Sequence, residues 1–184
     1  MDISTLMNMR NLLFLLLVVA FFSQTYASEK LQQNDLSRLA TWAKQKNLPI
    51  LLIVSQHHCP FCVRLKEEII YPMQISGDYE DKVIIAEILL DSTKNILGFK
   101  GESMTPGAIA ESYKVWVTPT LLFLDHKGRE VHKRILGVNT IDMYSYYLDR
   151  SLSAALRAIH TGSQGYVLTN DDISGDAPGY DQLY

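Results

Sequence analysis

The chain has 184 residues, 47% of them hydrophobic and 20% charged, and a formal net charge of −3. That length and balance fit a single domain with a proper core and exclude a disordered or fibrous protein. The weak negative charge supplies no basic field for nucleic acid or for an anionic membrane surface.

The N-terminus reads as a targeting segment. "MRNLLFLLLVVAFFSQTYA" places Arg10 before an unbroken apolar run of eleven residues, Leu12–Phe22, followed by small and polar residues ending at Ala27. A bilayer-spanning helix needs about 20 apolar residues, so this run suits the middle of a secretory signal peptide better than a span. Thr25 and Ala27 occupy the −3 and −1 positions of a cleavage after Ala27; an uncleaved N-terminal anchor is the alternative. Either way the remainder is expected in an exported, oxidising compartment such as a periplasm, where close cysteines form a disulfide readily. The expected division is 1–27 leader or anchor, 28–160 globular domain and 161–184 tail.

Along the domain, apolar residues at helical spacing (Leu31, Leu36, Leu39, Ala40, Trp42, Ala43) predict a helix over 31–46, ended by Asn47 and Pro49. "PILLIVSQ" is a continuous apolar run, the pattern of a strand buried on both faces. Pro60 then opens a helix at its favoured first turn, with Val63, Leu65, Ile69 and Ile70 as its buried side and Pro72 as its stop. "KVIIAEILLD" is a second buried strand interrupted only by Glu87. Thr105–Pro106 caps a helix running to about Tyr113. "TLLFLD" and "EVHKRILG", joined by "HKG", form an antiparallel hairpin. Ile141, Tyr144, Leu148, Leu152, Ala155 and Ile159 give the last helix one apolar face. The fold class is therefore α/β: two parallel crossovers feed a terminal hairpin, giving a central mixed sheet with helices on both faces. Residues 161–184 carry four Asp, four Gly and no Lys or Arg, and read as a flexible acidic tail.

The chemistry centres on "VSQHHCPFCVRLKEEI", which holds the only two cysteines, Cys59 and Cys62. Cys59 lies between a buried strand and the first turn of a helix, where free N–H groups and the positive helix end favour thiolate over thiol. Cys62, one turn later, is close enough to pair with it and to resolve a mixed disulfide. As a staple, the pair closes so short a loop that it restrains the unfolded chain little. As half of a zinc site with His57 or His58, it lacks the second ligand pair that structural sites draw from a distant segment. A redox pair is the expected reading, with no metal and no cofactor beyond the Cys59–Cys62 disulfide.

Residues 31–160 resemble a thioredoxin-fold protein in three places: "CPFC" after a buried strand, "YKVWVTPTLLFLDHKGREV", and "RILG" before the last helix. "CPFCVRLKEEII" followed by proline is similar to the exported, SoxW-like branch. The resemblance implies that Pro119 is a cis proline facing the cysteines, and that the backbone of Thr118 pairs with an incoming peptide by strand addition. Three positions depart from the family pattern. Where thioredoxin has a buried aspartate, six residues before the first cysteine, this chain has Ile53; where it has a lysine on the neighbouring strand, this chain has Glu87. Glu87 is either a replacement acid whose pKa burial raises, or a solvated strand-end glutamate. His58 stands where the family has tryptophan; a protonated imidazole there would favour the Cys59 thiolate, and a solvated histidine would not. His57 and His126 read as ordinary surface residues.

The fold leaves the direction of electron flow open. Pro-Phe between the cysteines matches neither Gly-Pro thioredoxins nor Pro-His oxidases, and the segment between Cys62 and Thr118 has no large helical insertion of the oxidase kind. The expected function is an exported, monomeric reductase of protein disulfides, kept reduced by a membrane thiol–disulfide donor. A disulfide oxidase or isomerase is the alternative, and a non-catalytic binding module is another.

Overall fold

The computed structural model describes residues 33–162. The leader or anchor expected over 1–27, and all but the first two residues of the expected tail, lie outside them.

The first helix among the described residues, α1, spans Leu36–Lys46 and starts later than its apolar spacing predicts. The cause is Asp35, whose carboxylate accepts the Arg38 N–H at 3.0 Å and the Ser37 hydroxyl at 2.6 Å. A carboxylate that satisfies a free helix-end amide fixes the N-cap, so that residues 33–35 stand outside the helix. Asn47, at φ 54°, closes the other end with its N–H on the Ala43 carbonyl. Leu36, Leu39 and Ala43 are buried as the spacing predicts, but Trp42 is 40% exposed, with the Arg38 guanidinium 4.5 Å from its ring centroid.

Strand β1, Ile50–Ser55, is buried at every position. Helix α2, Pro60–Leu65, follows and leads without a break into a π-helical turn, Lys66–Ile70, and then α3, Tyr71–Ser76. Pro72 therefore does not stop the helix. The Tyr71 N–H reaches back five residues to the Lys66 carbonyl, and this wider turn accommodates a ring that clashes with the regular ladder. The helix ends instead at Gly77, φ 76°. Leu65, Ile69 and Ile70 are buried, whereas Val63 points outward at 39% exposure.

Strand β2, Ile84–Leu89, runs parallel to β1, with Ile53 beside Glu87. Next comes a small hairpin with no counterpart in the expected elements, β3 (Ile96–Leu97) with β4 (Ser103–Met104). Strands of two residues have no period to read. Helix α4, Pro106–Ser112, is capped by Thr105, whose hydroxyl oxygen accepts the Ala108 N–H. Strand β5 (Thr120–Leu124) and β6 (Glu130–Leu136) complete the sheet, and α5, Ile141–Thr161, packs on them with Tyr144, Leu148, Leu152 and Ala155 buried.

The sheet order is β2-β1-β5-β6. The mixed sheet is as expected, but only one crossover is parallel, because β5 runs antiparallel to β1. Leu89, at the end of β2, pairs with Ser55, and Thr120, at the start of β5, pairs with Val54. The chain thus re-enters the sheet at the end from which it left, after the β3–β4 excursion and α4 have carried it away and back. Ile50, Leu52 and Val54 face a core shared with α1 and α4. Strand alternation turns Leu51, Ile53 and Ser55 to the opposite face.

The Asp35 carboxyl is held below its ordinary value by the Ser37 hydroxyl first and the Arg38 amide second. Its stabilising contribution is therefore present above the ordinary aspartate range and lost as pH falls through the lowered folded value. Asp35→Ala is expected to cost about 1 kcal/mol at neutral pH, and the gap between the two proteins' urea midpoints should close in acid.

Candidate redox site

Cys59 is the N-cap of α2. Its backbone is extended (φ −125°, ψ 102°), and its sulfur accepts the Cys62 N–H at 3.1 Å. Pro60 in the first turn of α2 needs no hydrogen bond for its missing N–H, and the Val63 N–H closes the turn on the Cys59 carbonyl at 3.0 Å. The two cysteines are joined in a disulfide with their Cα atoms 5.2 Å apart. They are not equivalent: Cys59 is 8% exposed and Cys62 is 1% exposed. The sulfur at the helix end is the one an incoming group meets first.

Across from Cys59 lies the corner that starts β5. The Thr118–Pro119 peptide bond is cis. The Thr118 carbonyl oxygen and hydroxyl oxygen each lie 3.7 Å from Cys59 Sγ. The hydroxyl also donates to Gln56 Oε1 at 3.2 Å. Pro119 is buried, and its carbonyl accepts the Gly137 N–H at 2.8 Å, tying the corner to the end of β6. Two large side chains flank the site in solvent, Phe61 at 57% and Trp116 at 56% exposure. Trp116 borders an open hollow whose apolar wall is Leu90, Ala110 and Val115.

Beneath the helix lies a buried polar cluster. Glu87 is 2% exposed, which overturns the solvated strand-end alternative. Its Oε1 accepts the Ser55 hydroxyl and pairs with Lys66 Nζ at 2.9 Å. Ser55 and Ile53 share the face of β1 opposite the α1 core, and Glu87 sits beside Ile53. Lys66 lies one turn beyond Cys62, and its N–H bonds the Cys62 carbonyl. The carboxylate, absent from the Ile53 position, is thus supplied by the adjacent strand, and its counter-charge comes from the cysteine-bearing helix.

Both histidines lie at the surface. His58 is exposed beside Cys59. His57 is the anchored one: its N–H donates to both Asp91 carboxylate oxygens, at 3.1 and 2.9 Å, and its Nδ1 lies 2.8 Å from Oδ1. Desolvation is the largest influence on Asp91 and pushes its carboxyl up, but the His57 contacts outweigh it and hold the carboxyl below its ordinary value. Among the described residues, no group of three or more His, Cys, Asp or Glu side chains is placed to hold a metal ion. Ser55, Gln56, Lys66 and Asp91 escaped the sequence reading. Lys66 alone carried a signal, four residues after Cys62 on one helix face.

Residues 37–151 match the thioredoxin-like domain family. The chain belongs to that family. Solved structures with a similar fold include a thioredoxin from Nicotiana alata, at 22% identity and a TM-score of 0.46, with 66% of this chain and 90% of that one covered. A Fasciola hepatica thioredoxin is 16% identical over 67% of this chain and 96% of its own, with a TM-score of 0.46. A thioredoxin-fold protein from Helicobacter pylori is 18% identical over 71% and 80%, with a TM-score of 0.47. No functionally curated protein matches the chain. A thioredoxin-like domain carrying a bonded Cys-x-x-Cys pair has the parts of a thiol oxidoreductase.

Glu87 and Lys66 are a buried pair, so the two single losses and the joint loss should differ. Removing one partner strands the other charge, at a cost of about 3 kcal/mol, whereas apolar replacement of both is often neutral. Urea unfolding of the oxidised protein should find Glu87→Leu strongly destabilised and the Glu87→Leu/Lys66→Met double variant restored most of the way.

Proposed function

We propose that this protein is an exported thiol–disulfide oxidoreductase that reduces protein disulfides through Cys59 and Cys62. The observation that carries the reading is the position of Cys59: N-cap of the helix, sulfur on the Cys62 amide, and the more exposed of the pair. An anionic sulfur is stabilised by that amide and by the positive end of the helix.

In the reduced protein the Cys59 thiolate attacks one sulfur of the substrate disulfide. A Cys59–substrate bond forms, and the other substrate sulfur leaves as a thiolate that takes up a proton. Cys62 then gives up its proton and attacks Cys59 Sγ, releasing the second substrate thiolate, which is protonated in turn, and restoring the Cys59–Cys62 disulfide. Two electrons pass to the substrate, and a membrane dithiol donor returns them to the protein. Glu87, buried under the same helix, is the proton acceptor for Cys62 in this scheme. The Thr118 backbone pairs with the extended substrate chain, and Phe61 and Trp116 give it apolar contact. His58 biases the Cys59 thiolate from the rim. The protein works as a monomer of the SoxW-like branch, delivered by its 1–27 segment. The reading as a reductase rather than an oxidase is supported by the short connection between β2 and β5, in which the elements are a hairpin of two two-residue strands and a seven-residue helix.

Insulin reduction tests the proposal. Cys59→Ser should abolish turnover, and Cys62→Ser should stop after one event with substrate covalently held on Cys59, visible as a mass adduct. The reduction potential of the pair decides direction: a value near about −270 mV supports the reductase and one near about −120 mV an oxidase. For Glu87, the pH profile of Cys62-dependent resolution should move in Glu87→Gln; an unmoved profile removes it from the proton path.

A further inference from the structure

We propose that Gln56 is a positioning residue of the redox site: its side-chain amide orients the Thr118 hydroxyl, which turns onto Cys59 when the disulfide is reduced. This deepens the reading of Cys59 as the attacking sulfur and rests on it.

Gln56 directly follows β1 and is half-buried. The Thr118 hydroxyl stands between two acceptors, Gln56 Oε1 at 3.2 Å and Cys59 Sγ at 3.7 Å. A hydroxyl has one proton to give. While Cys59 is in the disulfide its sulfur is uncharged and a weak acceptor, so the shorter contact to the amide oxygen takes the proton. The Thr118 carbonyl oxygen, also 3.7 Å from Cys59 Sγ, offers an anion no help.

Reduction inverts this preference. A dithiol donor passes two electrons to the S–S bond and becomes a disulfide; of its two protons, one stays on Cys62 and one goes to solvent, leaving Cys59 as a thiolate. A charged acceptor forms hydrogen bonds about twice as strong as a neutral one. The Thr118 proton therefore turns to Cys59, and its oxygen now faces Gln56 with lone pairs only. An amide answers this by a half-turn that presents its NH2 in place of its oxygen. The chain of donors then runs from Gln56 Nε2–H to the Thr118 oxygen, and from the Thr118 O–H to the Cys59 sulfur. Glutamine fits this place because one side chain supplies an acceptor in one oxidation state and a donor in the other. Glutamate could only accept, and would hold the hydroxyl away from the thiolate; leucine could do neither.

The test is a pH titration of the Cys59 thiolate, read by its ultraviolet absorbance in the reduced full-length protein. His58 at the rim and the Lys66–Glu87 pair below stay unchanged in every variant. Thr118→Val should raise the Cys59 thiol pKa by about one unit, a tenfold fall in the thiolate-to-thiol ratio, and Thr118→Ser, which keeps the hydroxyl, should restore it. Gln56→Leu should raise it by about half a unit and Gln56→Glu by more. Because Gln56 acts through Thr118, the Gln56→Leu/Thr118→Val double variant should match Thr118→Val alone. An unchanged titration in Gln56→Leu, or an effect that adds fully to that of Thr118→Val, overturns the proposal. The titration uses no substrate, so its failure leaves the oxidoreductase reading standing, and a protein inactive on insulin would still report on the relay.

Discussion

The structure turns on one contact: the sulfur of Cys59 serving as the cap of its own helix. A cap must sit outside the helical backbone yet point its acceptor back along the axis. Cys59 meets that condition because three neighbours force it. Strand β1 is buried at every position and cannot shift, Pro60 presets the first helical turn, and the Cys62 amide has no other place to go. The partner cysteine is thereby fixed one turn along and beneath, where it is nearly inaccessible. Asymmetry between two chemically identical thiols is a product of position in the helix rather than of any special side chain.

The same strand sets the opposite wall. Val54 pairs with Thr120, so the corner holding Thr118 and Pro119 stands level with the start of the cysteine loop. Had β5 run parallel to β1, its first residues would enter at the other end of the sheet and the corner could not meet Cys59. The antiparallel entry therefore builds the site, and the β3–β4 excursion is what makes that entry possible. Gly128, in the β5–β6 turn at φ 75°, carries the excursion's footprint: a Cβ there would lie 2.7 Å from the Phe99 ring. Only glycine allows both that backbone and that close approach.

Legibility in the sequence followed the strength of local signals. The buried strands, the Pro60 and Pro106 helix starts and the last amphipathic helix were readable because each has a period or a breaker of its own. Helix ends were misread where a side chain decided them, as Asp35 does for α1, or where an unusual turn absorbed a proline, as at Pro72. The cysteines were legible as a site because spacing and context coincide in one short stretch. Glu87 was visible as an oddity, a charge within an apolar strand, but its facing was not, since burial depends on which strand lies beside it and which helix lies above. Gln56, Ser55 and Asp91 had no signal at all. Their roles arise from partners 62, 32 and 34 residues away.

The buried Lys66–Glu87 pair also limits what can tune the proposed nucleophile, Cys59. A lone buried charge acts over a long range in a medium of low dielectric. Opposite charges 2.9 Å apart act outward as a dipole, whose field falls off faster with distance. Cys62 shares a helix face with Lys66 and lies within reach of that field. Cys59, at the helix end and nearer solvent, is less exposed to it. In the proposed exchange, the anionic character of Cys59 then comes from what lies around it: the Cys62 amide, the helix end, the Thr118 hydroxyl and His58 at the rim. In the proposed exchange a site organised in this way separates its two tasks, with the floor serving Cys62 as the resolving thiol and the rim serving Cys59 as the attacking one. Substitutions under the helix should thus act on the second step of disulfide exchange, and substitutions at the Gln56–Thr118 corner on the first.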